Sequence, residues 1–184
     1  MSYTVHTIDT AKEAAKETLS RVQKSFGFIP NMLAIMAGAP PVLKAYLTAG
    51  ALFDETSFSA TERQVVMLTT SYENDCEYCV SAHTAISGMQ KVPDGIVQAI
   101  RAGTPIADRK LEALRRFTSA VVTSRGKPSH KEVTAFQQAG YSQDQALEVA
   151  LGAGLKTIAN YANNIAATPL DGAFAKVAWT KAAG

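Results

Sequence analysis

Cysteine is scarce in this chain: two residues in 184, beside three histidines and one tryptophan. So few thiols exclude a multi-bridge disulfide framework and a four-cysteine zinc site. An excess of charge of one sign is also missing. The net charge is +2, and the pair Arg115-Arg116 is more simply part of a solvated helix face than of a basic patch, so nucleic acid is not an expected partner. No apolar stretch approaches the ~20 residues that a membrane span needs, and no membrane partner is expected. The start, Met1-Ser2-Tyr3-Thr4-Val5-His6, has neither the basic nor the apolar region of a signal peptide. The expected compartment is cytoplasmic. Asn-Gly hairpin signals and sustained period-two alternation are absent too, which argues against a sheet.

What is present fits a globular protein: 47% of residues are hydrophobic and 18% charged. The apolar residues recur at helical spacing. Asp9 or Thr10 can cap a first helix running to about Lys24, through Ala11, Ala15, Leu19 and Val22. Phe26-Gly27-Phe28-Ile29-Pro30 breaks it. A short helix from about Asn31 and a longer one to about Phe53 follow. Ser59-Ala60-Thr61-Glu62 is a capping box that opens a helix to about Tyr72. Glu73-Asn74-Asp75 reads as a break, with Asn74 or Asp75 capping a helix that ends near Gly88. Pro93-Asp94 starts the next, which stops near Gly103. Further helices are expected at about 107–125, 130–139, 142–166 and 170–180, with capping boxes at Ser129 and Ser142. The whole of 1–184 reads as one domain, all-α, a packed helical array. Phe58-Ser59-Ala60-Thr61-Glu62 echoes Tyr141-Ser142-Gln143-Asp144-Gln145; in a duplicated unit, Ala159 and Ala162 would take the places of the two cysteines.

Both cysteines fall in Cys76-Glu77-Tyr78-Cys79, and His83 follows four residues later. On a helix the three lie within about 60° of one another, on one face. A zinc ion is a poor fit, because Cys76 and His83 would be ~10.5 Å apart along the axis and no second cysteine pair exists; no metal and no cofactor is expected. Buried structural thiols are the other bland reading, and that reading leaves the shared face with His83 unexplained. Two thiols and an imidazole on one stripe suit dithiol redox chemistry, in which one thiol attacks, the other resolves and the imidazole moves protons. Cys79 and His83, at i and i+4, are neighbours. Cys76 lies nearer the helix N-terminus, where the macrodipole lowers a thiol pKa. Residue chemistry alone therefore leaves the choice of nucleophile open. His6 reads as part of an extended arm and His130 as a first-turn surface residue.

Ser59 through Thr84 resembles the carboxymuconolactone decarboxylase superfamily, and looks closest to its alkylhydroperoxidase D-like, peroxidase-related branch. The resemblance rests on Cys76-Glu77-Tyr78-Cys79-Val80-Ser81-Ala82-His83 after Thr61-Glu62-Arg63-Gln64. Phe26-Gly27-Phe28-Ile29-Pro30-Asn31 upstream, and Asn160-Tyr161-Ala162-Asn163-Asn164 with Thr168-Pro169-Leu170-Asp171 downstream, are similar to the same branch. The resemblance implies an all-helical fold, homo-oligomers, and reduction of hydroperoxides through a cysteine disulfide. It implies a peroxidatic Cys79, a resolving Cys76 and a relay role for His83. It also implies a dithiol reductant or redox partner protein. Two relay positions differ: Tyr78 stands where the family has a histidine, and Gln64 where it has a glutamate. Glu62, Glu73 and Glu77 are candidate substitutes, with Glu62 also explained as a cap. The competing functions are a cofactor-free lactone decarboxylase, whose chemistry needs no cysteine pair, and a non-catalytic redox-sensing dithiol module.

Overall fold

The computed structural model describes residues 2–181. The described residues form α-helices and one 3₁₀ helix, with no strand among them. In order they are α1 (Glu13–Phe26), α2 (Asn31–Met36), α3 (Pro40–Asp54), α4 (Ala60–Glu73), α5 (Glu77–Met89), α6 (Asp94–Arg101), α7 (Arg109–Thr123), α8 (His130–Gln138), α9 (Gln143–Ala166) and the 3₁₀ helix Gly172–Val177. No helix among the described residues is long and apolar enough to cross a membrane.

The start signals work as expected at Ser59, Ser129 and Ser142. Each hydroxyl accepts from the backbone N–H three residues on, and each Glu or Gln there reaches back to the cap. Two terminal expectations need correction. The first helix is entered from Lys12, because Asp9 and Thr10 lie in a turn in which Thr7 and Thr10 bond each other. The helix expected at 170–180 is the short 3₁₀ helix; its N-cap residue Asp171 caps nothing locally, since its carboxylate is drawn to α2.

Helix α4 is the hub, packed by α5, α6, α7 and α9. Every residue from Gln64 to Ser71 is buried. A helix covered on all sides has no need of an amphipathic pattern, which is why its β-branched residues carry a strand-like signal. On one side lies a core built from Val65, Leu68, Leu114 and the stacked rings of Phe117, Phe136 and Tyr141. A second core joins α1, α2, α3, α5 and α9 through Leu19, Leu33, Leu43 and Ala159, and both cysteines lie in it. Helix α9 can approach closely because residue 152 is glycine. A Cβ there would sit 2.6 Å from Phe53 Cε2 and 2.8 Å from Val66 Cγ1, so even a methyl group would overpack this crossing.

Candidate active site

The turn between α4 and α5 decides where the thiols go. Asn74 ends α4, and Asp75 takes a left-handed backbone at φ 51°, a conformation that Asp tolerates better than most residues. The Cys76 N–H then returns to the Ser71 carbonyl at 3.0 Å, closing the turn. Cys76 is itself the N-cap of α5, with an extended backbone. This corrects the expectation that Asn74 or Asp75 would cap that helix. It also takes Cys76 off the helical stripe and folds its sulfur over the first turn, where it accepts from the Cys79 N–H at 3.4 Å. Asparagines from α9 hold the turn. Asn160 accepts from Asn74 Nδ2 at 3.0 Å and donates to Ser71 Oγ at 3.3 Å, while Asn164 Nδ2 donates to the Asn74 carbonyl at 3.0 Å.

Cys79 lies in the first turn of α5 and His83 one turn later, both buried. The buried face of α9 presents Lys156, Asn160 and Asn163 to them, with small Ala159 between. Asn163 Nδ2 donates to Cys79 Sγ at 3.1 Å and reaches Cys76 Sγ at 3.9 Å, so one amide spans both thiols. Sequence reading missed Lys156 and gave Asn163 no role. The available signal was a lysine on the stripe that otherwise runs through Val149, Gly152, Ala153, Ala159 and Asn163. A charge on a core-facing stripe calls for a partner.

The electrostatics separate the two cysteines. Burial pushes the Cys79 thiol up. The Cys76 thiol, the Lys156 charge and the amides of Asn163 and Asn160 outweigh it and hold Cys79 down at about 6. Cys76 moves the other way, raised by its S–H bond to Cys79, by burial and by the charge on Cys79. Burial, then the Lys156 charge, push the His83 imidazole well below its ordinary value, so it is neutral. Its Nδ1–H donates to Gln64 Oε1 at 2.8 Å, and Gln64 Nε2 donates in turn to Gln90 Oε1 at 3.1 Å. With the proton on Nδ1, the Nε2 lone pair is the free one. Lys156 is buried against its own charge, and Cys79, Tyr46 and Cys76 outweigh that burial and keep it an ammonium.

A cavity of about 400 Å³ opens onto this cluster. Its walls are mostly apolar, with Phe26, Phe28, Leu47 and Phe174 among them, and its reactive residues are Cys79, His83 and Lys156. Cys76 does not line it.

The structure brings Gln64 to His83, where it serves as a neutral acceptor. Tyr78 is committed elsewhere. Its hydroxyl donates to Asp171 Oδ2 at 2.6 Å and accepts from the Met32 N–H at 3.3 Å, while the Asn31 N–H donates to Asp171 Oδ1 at 3.1 Å. Burial, then Asp171, push its phenol far above the ordinary range. Tyr78 thus ties α5 to the start of α2 and to the C-terminal segment. Glu73 does not serve as a relay substitute, because its carboxylate accepts from Ser119 Oγ at 2.6 Å on α7, and it lies outside the cavity. Glu62 is a cap and an acceptor for the Tyr141 hydroxyl, and Glu77 is exposed.

Residues 40–118, which include α4, α5 and every thiol, match the carboxymuconolactone decarboxylase family. Over the full fold the chain resembles the alkylhydroperoxidase AhpD core of an uncharacterized peroxidase-related protein from Ralstonia eutropha JMP134. The TM-score is 0.82 at 21% identity, covering 94% of this chain and 93% of that one. The family match covers residues 40–118 of the chain, and over the rest of its length the chain's likeness is one of fold. Its fold is that of the alkylhydroperoxidase D-like branch. An uncharacterized peroxidase-related protein from Silicibacter sp. TM1040 gives a TM-score of 0.79 at 16% identity, covering 94% and 93% of the two chains. Within the same fold, a variant of the debrominase Bmp8 in complex with 2,3,4-tribromopyrrole gives 0.75 at 17% identity, covering 90% and 89%. No curated protein matches the chain by sequence.

Proposed function

We propose that this protein is a member of the carboxymuconolactone decarboxylase superfamily and a thiol-dependent peroxidase that reduces hydroperoxides through a Cys76–Cys79 disulfide cycle. The observation that carries the reading is the asymmetry of the pair: Cys79 faces the cavity and has the lowered pKa, whereas Cys76 lies behind it with a raised one. The Cys79 thiolate attacks the distal peroxide oxygen, the O–O bond breaks, and Cys79 becomes a sulfenic acid while an alkoxide leaves. The Cys76 thiol then attacks the Cys79 sulfur, a disulfide forms, and the sulfenic oxygen departs as water with the Cys76 proton. We assign the relay of that proton to His83, which lines the cavity with Cys79 and has Nε2 free. A dithiol or a redox partner protein supplies two electrons and two protons to reopen the disulfide.

Under a hydroperoxide, intact mass should fall by the mass of two hydrogens and recover with a dithiol reductant. Thiols that stay reduced would leave the peroxidase reading without a reaction. A second reading has one observation behind it. The aromatic lining of the cavity and the debrominase among similar folds make a halogenated aromatic ring a competing substrate for the same thiol. Bromide release without peroxide turnover would favour it.

The partner we propose for the fold is a second copy of the chain. On α9, Leu147, Leu151, Gly154, Ile158, Tyr161 and Ile165 follow one another at alternating intervals of four and three residues. Leu147, Ile158, Tyr161 and Ile165 are exposed. That spacing is a self-pairing helix seam, and Gly154 lets two backbones approach. Ile165→Glu should convert the assembly to monomers in analytical ultracentrifugation without altering thiol oxidation. A monomeric wild type, or a variant that assembles unchanged, would remove this interface.

A further inference from the structure

Lys156 is the charge in this site that the dithiol cycle leaves without a role. It is 2% exposed, and none of the ion pairs among the described residues includes it. The titratable groups that act on it are Cys79 and Cys76 at the start of α5 and Tyr46 on α3, and His83 feels its charge. None of these is a carboxylate. A buried ammonium is tolerated only beside an anion, and the group here that becomes one near neutral pH is Cys79. Oxidation removes that anion. When the sulfur turns into a sulfenic acid and then a disulfide, an ammonium left in place would be a buried charge with no partner. At the same moment the alkoxide that leaves the peroxide needs a proton, inside an apolar cavity that Lys156 lines together with Cys79.

We propose that Lys156 is the proton donor of the site, giving its ammonium proton to the leaving alkoxide as Cys79 attacks and regaining one when the disulfide is reduced. This rests on the peroxidase reading for its first half only. The step balances: thiolate, hydroperoxide and ammonium become sulfenic acid, alcohol and amine. Resolution by Cys76 then releases water and leaves a neutral disulfide beside a neutral amine. Reduction by two electrons and two protons restores a thiol, a thiolate and an ammonium. Neither resting state holds an uncompensated buried charge. Lys156 is suited to this because a lysine gives up its proton when its environment turns against the charge, which an arginine does not.

The test has two arms on the full-length protein. In the first, Lys156→Arg keeps the positive charge but cannot donate, and Lys156→Met keeps the unbranched volume without charge. Rates are compared per Cys79 thiolate. With an alkyl hydroperoxide, whose alkoxide is strongly basic, both variants should slow by at least ~100-fold, the lower range for a positioned general acid. With a peracid, whose carboxylate leaves without a proton, the loss should be less than ~10-fold, because general-acid help scales with leaving-group basicity. Equal losses for the two oxidants, or none, would overturn the proposal and make Lys156 a structural charge. The second arm uses wild type, so it does not depend on a variant folding. The nitrogen-15 signal of Lys156 Nζ should read ammonium in the reduced protein and amine after diamide closes the disulfide. An ammonium that persists in the oxidised protein would overturn the proposal. Wild-type thiols inert to both peroxides but closed by diamide would instead sink the peroxidase reading, and the nitrogen signal would then decide the redox-linked proton by itself.

Discussion

Cys79→Ser should abolish reaction with hydroperoxide, while Cys76→Ser should complete a single half-reaction and stop. The difference follows from where the two sulfurs point. Cys79 faces the cavity and is held as a thiolate, its proton disfavoured by the Cys76 thiol, Lys156 and two amides against the opposing pull of burial. Cys76 does not line the cavity, and its pKa is raised. A serine at 79 removes the one thiol of the pair that lines the cavity. A serine at 76 preserves the fold, because Cys76 is an N-cap residue and serine is a preferred one. Its hydroxyl can still donate to the Cys79 sulfur, so the thiolate survives. In Cys76→Ser, a sulfenic-acid trap should label Cys79 in one equivalent, and turnover with a dithiol should be lost. In wild type, alkylation of Cys79 should reach half its maximum near pH 6 and fall below it, since the thiolate is lost as pH drops through its own pKa. A trapped sulfenic acid at Cys76 in the Cys79→Ser protein would reverse the assignment and show that the helix N-terminus outweighs the Lys156 counter-charge.

The fold was readable because its signals are local. The capping boxes at Ser59, Ser129 and Ser142 each complete their bonds within three residues, so no distant contact can hide them. The thiol motif was readable for the same reason. What stayed hidden depends on contacts far apart in sequence. Asp171 reads as a residue near a helix start, yet its carboxylate binds Asn31 and Tyr78. Glu73 looks like a spare carboxylate near the motif, and only the packing of α7 on α4 shows that Ser119 has taken it. Cys76 looked helical because a helical wheel assumes that the helix begins before the residues placed on it; the left-handed Asp75 moves the start by a step. Lys156 was the one hidden residue with a sequence trace. Its place among buried neighbours on α9 marks it as a core charge, but which partner neutralises it depends on how α9 crosses α5.

Gln64→Glu should raise peroxide turnover by about 100-fold, near the lower end of what a positioned acid–base group contributes. The Gln64 side of His83 is already in place, with Nδ1–H directed at Gln64 Oε1 at 2.8 Å and Nε2 free. What it lacks is a charged acceptor. An amide oxygen leaves the imidazole a weak base, and burial with the Lys156 charge weakens it further. A carboxylate in the same place forms a charge-assisted bond to Nδ1–H and makes Nε2 more basic, which speeds removal of the Cys76 proton during resolution. Substitution costs the bond from Gln64 Nε2 to Gln90 Oε1, but Gln90 is exposed and can turn its amide to donate instead. The stability curve offers an independent check. A histidine whose folded pKa is depressed contributes stability above its unfolded value of about 6.5 and loses it as pH falls below that, because the unfolded chain takes up the proton first. Wild type should therefore weaken in mild acid through His83, and Gln64→Glu should weaken less, since its carboxylate lifts the imidazole pKa. Steady-state turnover and melting temperature between pH 5 and 8 measure both effects. The rate gain should vanish in Gln64→Glu combined with Cys79→Ser. A folded Gln64→Glu protein that is no faster than wild type, yet is less acid-sensitive, would show that the imidazole had gained basicity to no effect and that resolution draws its base from somewhere other than His83.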